Sequence, residues 1–230
     1  WARDWALFHA LATGHGALEK WPANLRNREP SALALATREH GQDVRIALAL
    51  QRLFDRQWKA LKVAADQRSI TLIGDIPLFV SSNGVDTWVR PELFCVDEWR
   101  RPTHQAGVPP DDFSPQGQLW GNPHYEWEAH LAEDFAWWRA RVARCLEQVD
   151  RARLDHFRGL VAAWAVPPDA EVATKGRWLN APGRALLTAL GQQPLIAEDL
   201  GFITAPVREL RDEFNLPGMK VLQLGFGGDL

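Results

Sequence analysis

At 230 residues, 46% hydrophobic and 24% charged, the chain has the make-up of an ordinary globular protein, with material for one large domain or two modest ones. A formal charge of −3 at neutral pH speaks against a polyanionic partner, so nucleic acid is not expected. No apolar run approaches the ~20 residues of a membrane span and no charged-then-apolar leader opens the chain, so no membrane is expected and the expected location is cytoplasmic.

Trp1 stands where an initiator Met would, which reads as a fragment or a processed chain. Apolar residues at Trp5, Leu7, Phe8 and Leu11 predict a first helix ending near Gly14 and Gly16. A charged connection over Trp21 to Glu29 follows, then a short helix over Ala32 to His40 with Ser31 as its cap. From Gln42 to Gln67, Ile46, Leu50, Leu53, Phe54, Trp58, Leu61 and Ala65 recur every three or four residues and predict a long amphipathic helix. Ser69 to Asp75 then changes to a β-branched, apolar run ending in Gly and Asp, the pattern of a buried parallel strand. Pro77 lacks the amide donor a central strand needs, so a loop begins there.

Pro91 to Tyr125 is irregular, with Pro at 91, 102, 109, 110, 115 and 123. Its Phe94, Trp99, Phe113 and Trp120 argue for order, and it reads as a lid or gripping loop. Trp127, Leu131, Phe135, Trp138, Val142, Cys145 and Val149 predict one further helix. A short strand ending at Asp155 follows it. After the apolar run Val161 to Val166, a helix is expected over Ala181 to Leu190, closed by Gly191. Pro194 to Gly201 is again an apolar strand running into Glu198 and Asp199. Val207 to Phe214 is expected to be helical and Met219 to Leu224 a last strand. Helices alternating with strands indicate an α/β fold, either a β/α barrel or a doubly wound sheet.

Asp75, Asp155 and Glu198 thus each end a strand, where a parallel barrel exposes its side chains to substrate. Alternation along an extended segment puts Arg153 and Asp155 on one face, and the guanidinium favours the ionised carboxylate that a nucleophile requires. A structural ion pair at a strand end is the other reading. Glu198 is the candidate acid, its proton kept by burial and by Asp155, while Asp199 faces away. At the ~5 Å separation of retaining glycosidases such a pair supports double displacement at a glycosidic bond.

Five runs carry a resemblance: Ile73-Gly74-Asp75-Ile76-Pro77, Pro109-Pro110-Asp111, Gly117 to Pro123 (GQLWGNP), Arg153 to Gly159 (RLDHFRG) and Ile196 to Gly201 (IAEDLG). Together, and in this order, they resemble the 4-alpha-glucanotransferases (amylomaltases, or disproportionating enzymes) of glycoside hydrolase family 77. The resemblance implies an α-amylase-type (β/α)8 TIM barrel, here a partial barrel in which residues 1–230 are the central part and 91–125 an inserted active-site loop. It implies Asp155 as nucleophile, Glu198 as acid/base and Arg153 as the residue orienting Asp155. Asp75, Asp111, Trp120 and Asn122 would lie in or beside the glucan cleft. Position alone, beside Asp155, singles out His156 as a candidate for a hydrogen bond to substrate. The implied partners are α-1,4-glucans, maltooligosaccharides and glucose, with no cofactor.

Two departures stand out. The family's third carboxylate, in a His-Asp-Asn motif, does not follow Glu198 here, so a glucan-binding fragment without catalysis is the alternative function. Asp112 also stands where many members have Tyr. A third hypothesis makes Asp75, Asp155 and Glu198 metal ligands. His9, His15, His40, His104, His124 and His130 show no ligand spacing. Cys95 and Cys145 form no C-x-x-C pair and read as reduced thiols. Of the 12 Trp, most are assigned to the core, and only a few to stacking in a site.

Overall fold

The computed structural model describes residues 1–111 and 114–226. Residues 112–113 and 227–230 lie outside the described residues, as do the expectations attached to Asp112 and Phe113. Helix α1 (Ala2–His15) ends where Gly16 turns to φ 71°, a backbone state open to glycine. Helix α2 (Ala23–Arg26) is a single turn inside the expected connection. In α3 (Pro30–Glu39) Pro30 itself takes the first turn, where its missing N–H costs nothing, and no side chain caps the helix, contrary to the expectation for Ser31. Helix α4 (Gly41–Asp66) fills the long amphipathic stretch. Strand β1 (Ile73–Ile76) is shorter than expected, because Ser69 is left-handed and the Ile70 amide is still bonded to Ala65 O at 3.0 Å.

Then come α5 (Val85–Val89), β2 (Gln105–Val108), β3 (Gln118–Pro123), α6 (Trp127–Ala132), α7 (Ala136–Leu146) and β4 (Arg151–Leu154). The chain continues through β5 (Ala162–Val166), β6 (Arg177–Asn180), α8 (Gly183–Leu190), β7 (Leu195–Ala197) and α9 (Ala205–Glu213). Three expectations are corrected. The stretch 91–125 is not irregular throughout: β2 and β3 pair antiparallel within it, and β2 also pairs with β5. That pairing links residues about 60 apart and leaves no local signature. The single helix expected over 127–149 is two, broken at Asp134 (φ 51°) and Phe135 (φ 52°). Phe135 is nonetheless buried, so the apolar spacing runs through the break unaltered. Finally, Met219 to Leu224 forms no strand; Leu222–Phe226 is a 3-10 turn. The Met219 amide is taken by Asp199 Oδ1 at 2.7 Å and is lost to any ladder.

The described residues separate into two compact units. The first comprises 1–64, 79–130 and 164–177. Its helical part closes on Leu7, Leu11, Leu18, Trp21, Ala36 and Trp88. Both indoles are buried and both have their N–H satisfied, Trp21 Nε1 donating to Gly16 O at 3.0 Å and Trp88 Nε1 to Leu25 O at 2.9 Å. In the hairpin the register shifts between Gln105 and Gly107, and a Cβ at Gly107 would run into the Gln118 carbonyl oxygen. Gly107→Ala is therefore expected to destabilise the fold by about 1–3 kcal/mol, measured as a lower denaturation midpoint at unchanged slope.

The second unit comprises 65–78, 131–163 and everything from 178 onward. Its sheet has the order β1-β4-β7, with both pairings parallel. Helix α7 packs on β1 and β4, and α8 packs on α7. Trp138, Val142, Ala152, Leu154 and Leu186 are buried. The tryptophans differ from expectation: just Trp21, Trp88 and Trp138 are buried, while Trp1, Trp99, Trp120 and Trp178 are exposed. A large ring with a polar N–H is stable half in and half out of a core, so abundance alone does not assign it.

Candidate active site

Sheet register builds the site in the second unit. Asp75 on β1 is paired with Arg153 on β4, and Arg153 with Ile196 on β7; paired residues share a face. The last paired residues of β4 and β7 are Leu154 and Ala197, so Asp155 and Glu198 follow at matching positions where the two strands run out. Neighbouring strands lie about 4.8 Å apart. The ladder extends one step on each side, Asp155 N donating to Ile76 O at 3.0 Å and Glu198 N to Leu154 O at 3.1 Å.

Arg153 joins two of the carboxylates. Its Nε donates to Asp75 Oδ1 at 2.6 Å, and its Nη2 lies 2.9 Å from Asp155 Oδ1. One planar guanidinium thus spans both through two different nitrogens. The bond to Asp75, with Asp155 and Glu198 adding charge, raises the arginine pKa.

Glu198 is held by the backbone. Oε2 accepts from the His156 amide at 2.9 Å and Oε1 from the Leu200 amide at 3.0 Å. His156 points its N–H there because its φ is 50°, a left-handed state that costs a non-glycine residue about 1 kcal/mol. The turn is fixed from below: Phe157 N donates to Glu198 O at 3.2 Å, and Gly159 lies where a Cβ would strike Leu78 and His156. The closing glycine of Arg153 to Gly159 is thereby explained. Burial pushes the Glu198 carboxyl above the usual range. The Leu200 amide opposes this, the negative charge of Asp155 adds to it, and the His156 amide and Arg153 oppose it again. Asp199 turns elsewhere, paired with Arg211.

Asp111, Trp120 and Asn122 belong to the first unit. Asp111 is exposed and accepts from the Ser114 amide at 2.7 Å. Trp120 is 36% exposed, and its ring centroid lies 6.2 Å from that of Phe79. Asn122 Nδ2 donates to Val80 O at 2.7 Å, tying β3 to the segment after Phe79. No three His, Cys, Asp or Glu side chains among the described residues are grouped as metal ligands; between Asp75 and Asp155 stands the Arg153 cation. Of the histidines, His130 is buried against Leu93 O at 3.1 Å, and burial drives the pKa of His124 down to about 4.

The model of the 4-alpha-glucanotransferase family matches residues 1–229. The chain belongs to glycoside hydrolase family 77. It is 47% identical to a 4-alpha-glucanotransferase of Thermus thermophilus over 98% of its own length and 46% of that protein's. With a Synechocystis 4-alpha-glucanotransferase it is 44% identical over 100% of its length and 47% of the other's. The amylomaltase of Streptococcus agalactiae in complex with acarbose superposes with a TM-score of 0.95 at 38% identity, over 98% of this chain and 47% of that one. The chain therefore spans about half the length of the family relatives it matches.

Sequence reasoning passed over two features of the second unit. The amides of His156 and Leu200 that hold Glu198 are backbone groups, invisible in any motif. The other is a cluster of Arg158, Trp178 and Phe202, for which the one signal was the surplus of tryptophan.

Proposed function

We propose that the chain is the central part of a partial (β/α)8 barrel, in which 91–125 is an inserted active-site segment, and that the complete protein transfers segments of α-1,4-glucan between sugars. Three parallel strands in chain order with helices between them support the barrel. The observation that carries the chemistry is the contrast between two carboxylates at matching strand ends: Asp155 paired with a cation, Glu198 pushed by burial toward its protonated form. Environments that separate two carboxyls in this way assign the base-like and acid-like roles.

In this reading Asp155 attacks the anomeric carbon while Glu198 gives its proton to the departing glycosidic oxygen, leaving a covalent glycosyl-enzyme. The acceptor's hydroxyl then attacks the same carbon. Glu198 takes up its proton, Asp155 is released, and the configuration is retained. Arg153 holds Asp155 on its line of attack. Asp75, Asp111, Trp120, Asn122 and His156 contact the glucan, and no cofactor or metal takes part. The acarbose complex of the Streptococcus protein supports an oligosaccharide substrate. No described helix is long and apolar enough to cross a membrane, and free Cys95 and Cys145 support a reducing cytoplasm.

Incubating the complete protein with maltotriose tests the proposal. Glucose together with longer oligomers is expected; glucose with maltose alone would mean hydrolysis, and bound but unaltered maltotriose would mean a binding protein. The acid role also predicts a pH profile. Because Glu198 must carry its proton, kcat/KM for maltotriose should fall as pH rises through the Glu198 pKa. That pKa lies above the ordinary glutamate range, so activity persists to higher pH than an ordinary glutamate would allow. With a glycosyl fluoride, whose leaving group needs no proton, the covalent loading step should lack this alkaline limb.

A further inference from the structure

Arg158, inside the Arg153 to Gly159 run but given no role above, lies against two aromatic rings. Its Cζ is 3.9 Å from the centroid of Trp178 and 5.9 Å from that of Phe202. Its Nη1 donates to Phe202 O at 3.2 Å. Among the described residues its Nε is buried without a hydrogen-bond partner, and burial lowers its pKa. A half-buried cation held by ring faces and a backbone carbonyl is a costly arrangement for surface decoration. Its effect is to fix two rings that remain open to solvent, Trp178 being 38% and Phe202 75% exposed. Alternation along β6 puts Asn180, also exposed, on the same face as Trp178. Flat apolar rings beside an amide fit a sugar, which has one apolar ring face and a rim of hydroxyl groups.

The position assigns the side. Phe202 follows Glu198 by four residues, and Arg158 follows Asp155 by three, in the turn whose Phe157 amide is bonded to Glu198 O. Glu198, as acid, stands beside the leaving oxygen, on the side where the acceptor later binds. We infer that Trp178, Arg158 and Phe202 form a stacking platform for a glucosyl unit of the acceptor at least one ring beyond the reacting one. This inference rests on the transferase reading for its role, though not for the binding itself.

Phe202→Ala is the cleaner variant, since its side chain is exposed, and Trp178→Ala is the second. With a glycosyl fluoride as donor and the complete protein, the ratio of the KM for maltotetraose to that for glucose should rise about fivefold to tenfold in either variant. Phe202→Tyr and Trp178→Phe should restore the ratio. An unchanged ratio, or a lower melting temperature with an unchanged ratio, overturns the platform and leaves a packing cluster. Titration with maltoheptaose separates this failure from failure of the transferase reading. A Kd about fivefold to tenfold weaker in Phe202→Ala upholds the platform even in a protein that does not turn over, and an unchanged Kd rejects it even in one that does.

Discussion

In the complete protein, Asp155→Asn is expected to lower glucan transfer by at least about 10³-fold and to leave no covalent adduct with a glycosyl fluoride. A neutral amide is a poor nucleophile, and it offers no charge to the cationic transition state. Glu198→Gln should fail differently. Transfer from maltotriose should drop by roughly 10²–10⁴-fold for want of a proton donor. The fluoride should still load Asp155, and the adduct should persist because nothing deprotonates the acceptor. Mass spectrometry distinguishes the two proteins directly. An adduct on Asp155→Asn and none on Glu198→Gln would reverse the roles; adducts on neither would reject double displacement. One structural detail bears on the second variant: glutamine offers a single acceptor oxygen where the carboxylate serves both the His156 and Leu200 amides. Some loss of stability should accompany it, and Glu198→Asp, which keeps both acceptors on a shorter arm, is the control.

Arg153→Ala should lower kcat by roughly 10²-fold with a much smaller rise in KM, because the fork that sets the angle of Asp155 is gone while, of the glucan-contacting residues, Asp75 alone loses its bond to Arg153. Arg153→Lys should recover little. An ammonium is a point charge on a flexible stem, and it cannot place donors at once on Asp75 and Asp155 as Nε and Nη2 do. Full recovery with Lys would mean that charge alone matters. The melting temperature should scarcely move in either variant: Asp75 is 49% exposed, and ion pairs this open contribute about 0–1 kcal/mol. A kinetic loss without a thermal one separates a positioning residue from a structural one.

Sequence alone was enough to locate α4, the strand before Asp155 and the strand before Glu198, because each is specified by local apolar periodicity with Gly or charge at its end. The same runs disclosed the pairing of Arg153 with Asp155, since alternation along one strand is a local property. Everything that depends on partners distant in the chain was out of reach. The β2–β3 hairpin was hidden because β2 is stabilised by β5, about 60 residues away in the chain, and that pairing has no local signature. The break between α6 and α7 was hidden because Phe135 stays buried through a left-handed turn, so the spacing never falters. At the site, tertiary structure decided that Arg153 also reaches Asp75 across the sheet, and that Glu198 is restrained by two backbone amides rather than by side chains. A motif records which side chains are present; sheet register and backbone dihedrals determine which of them meet.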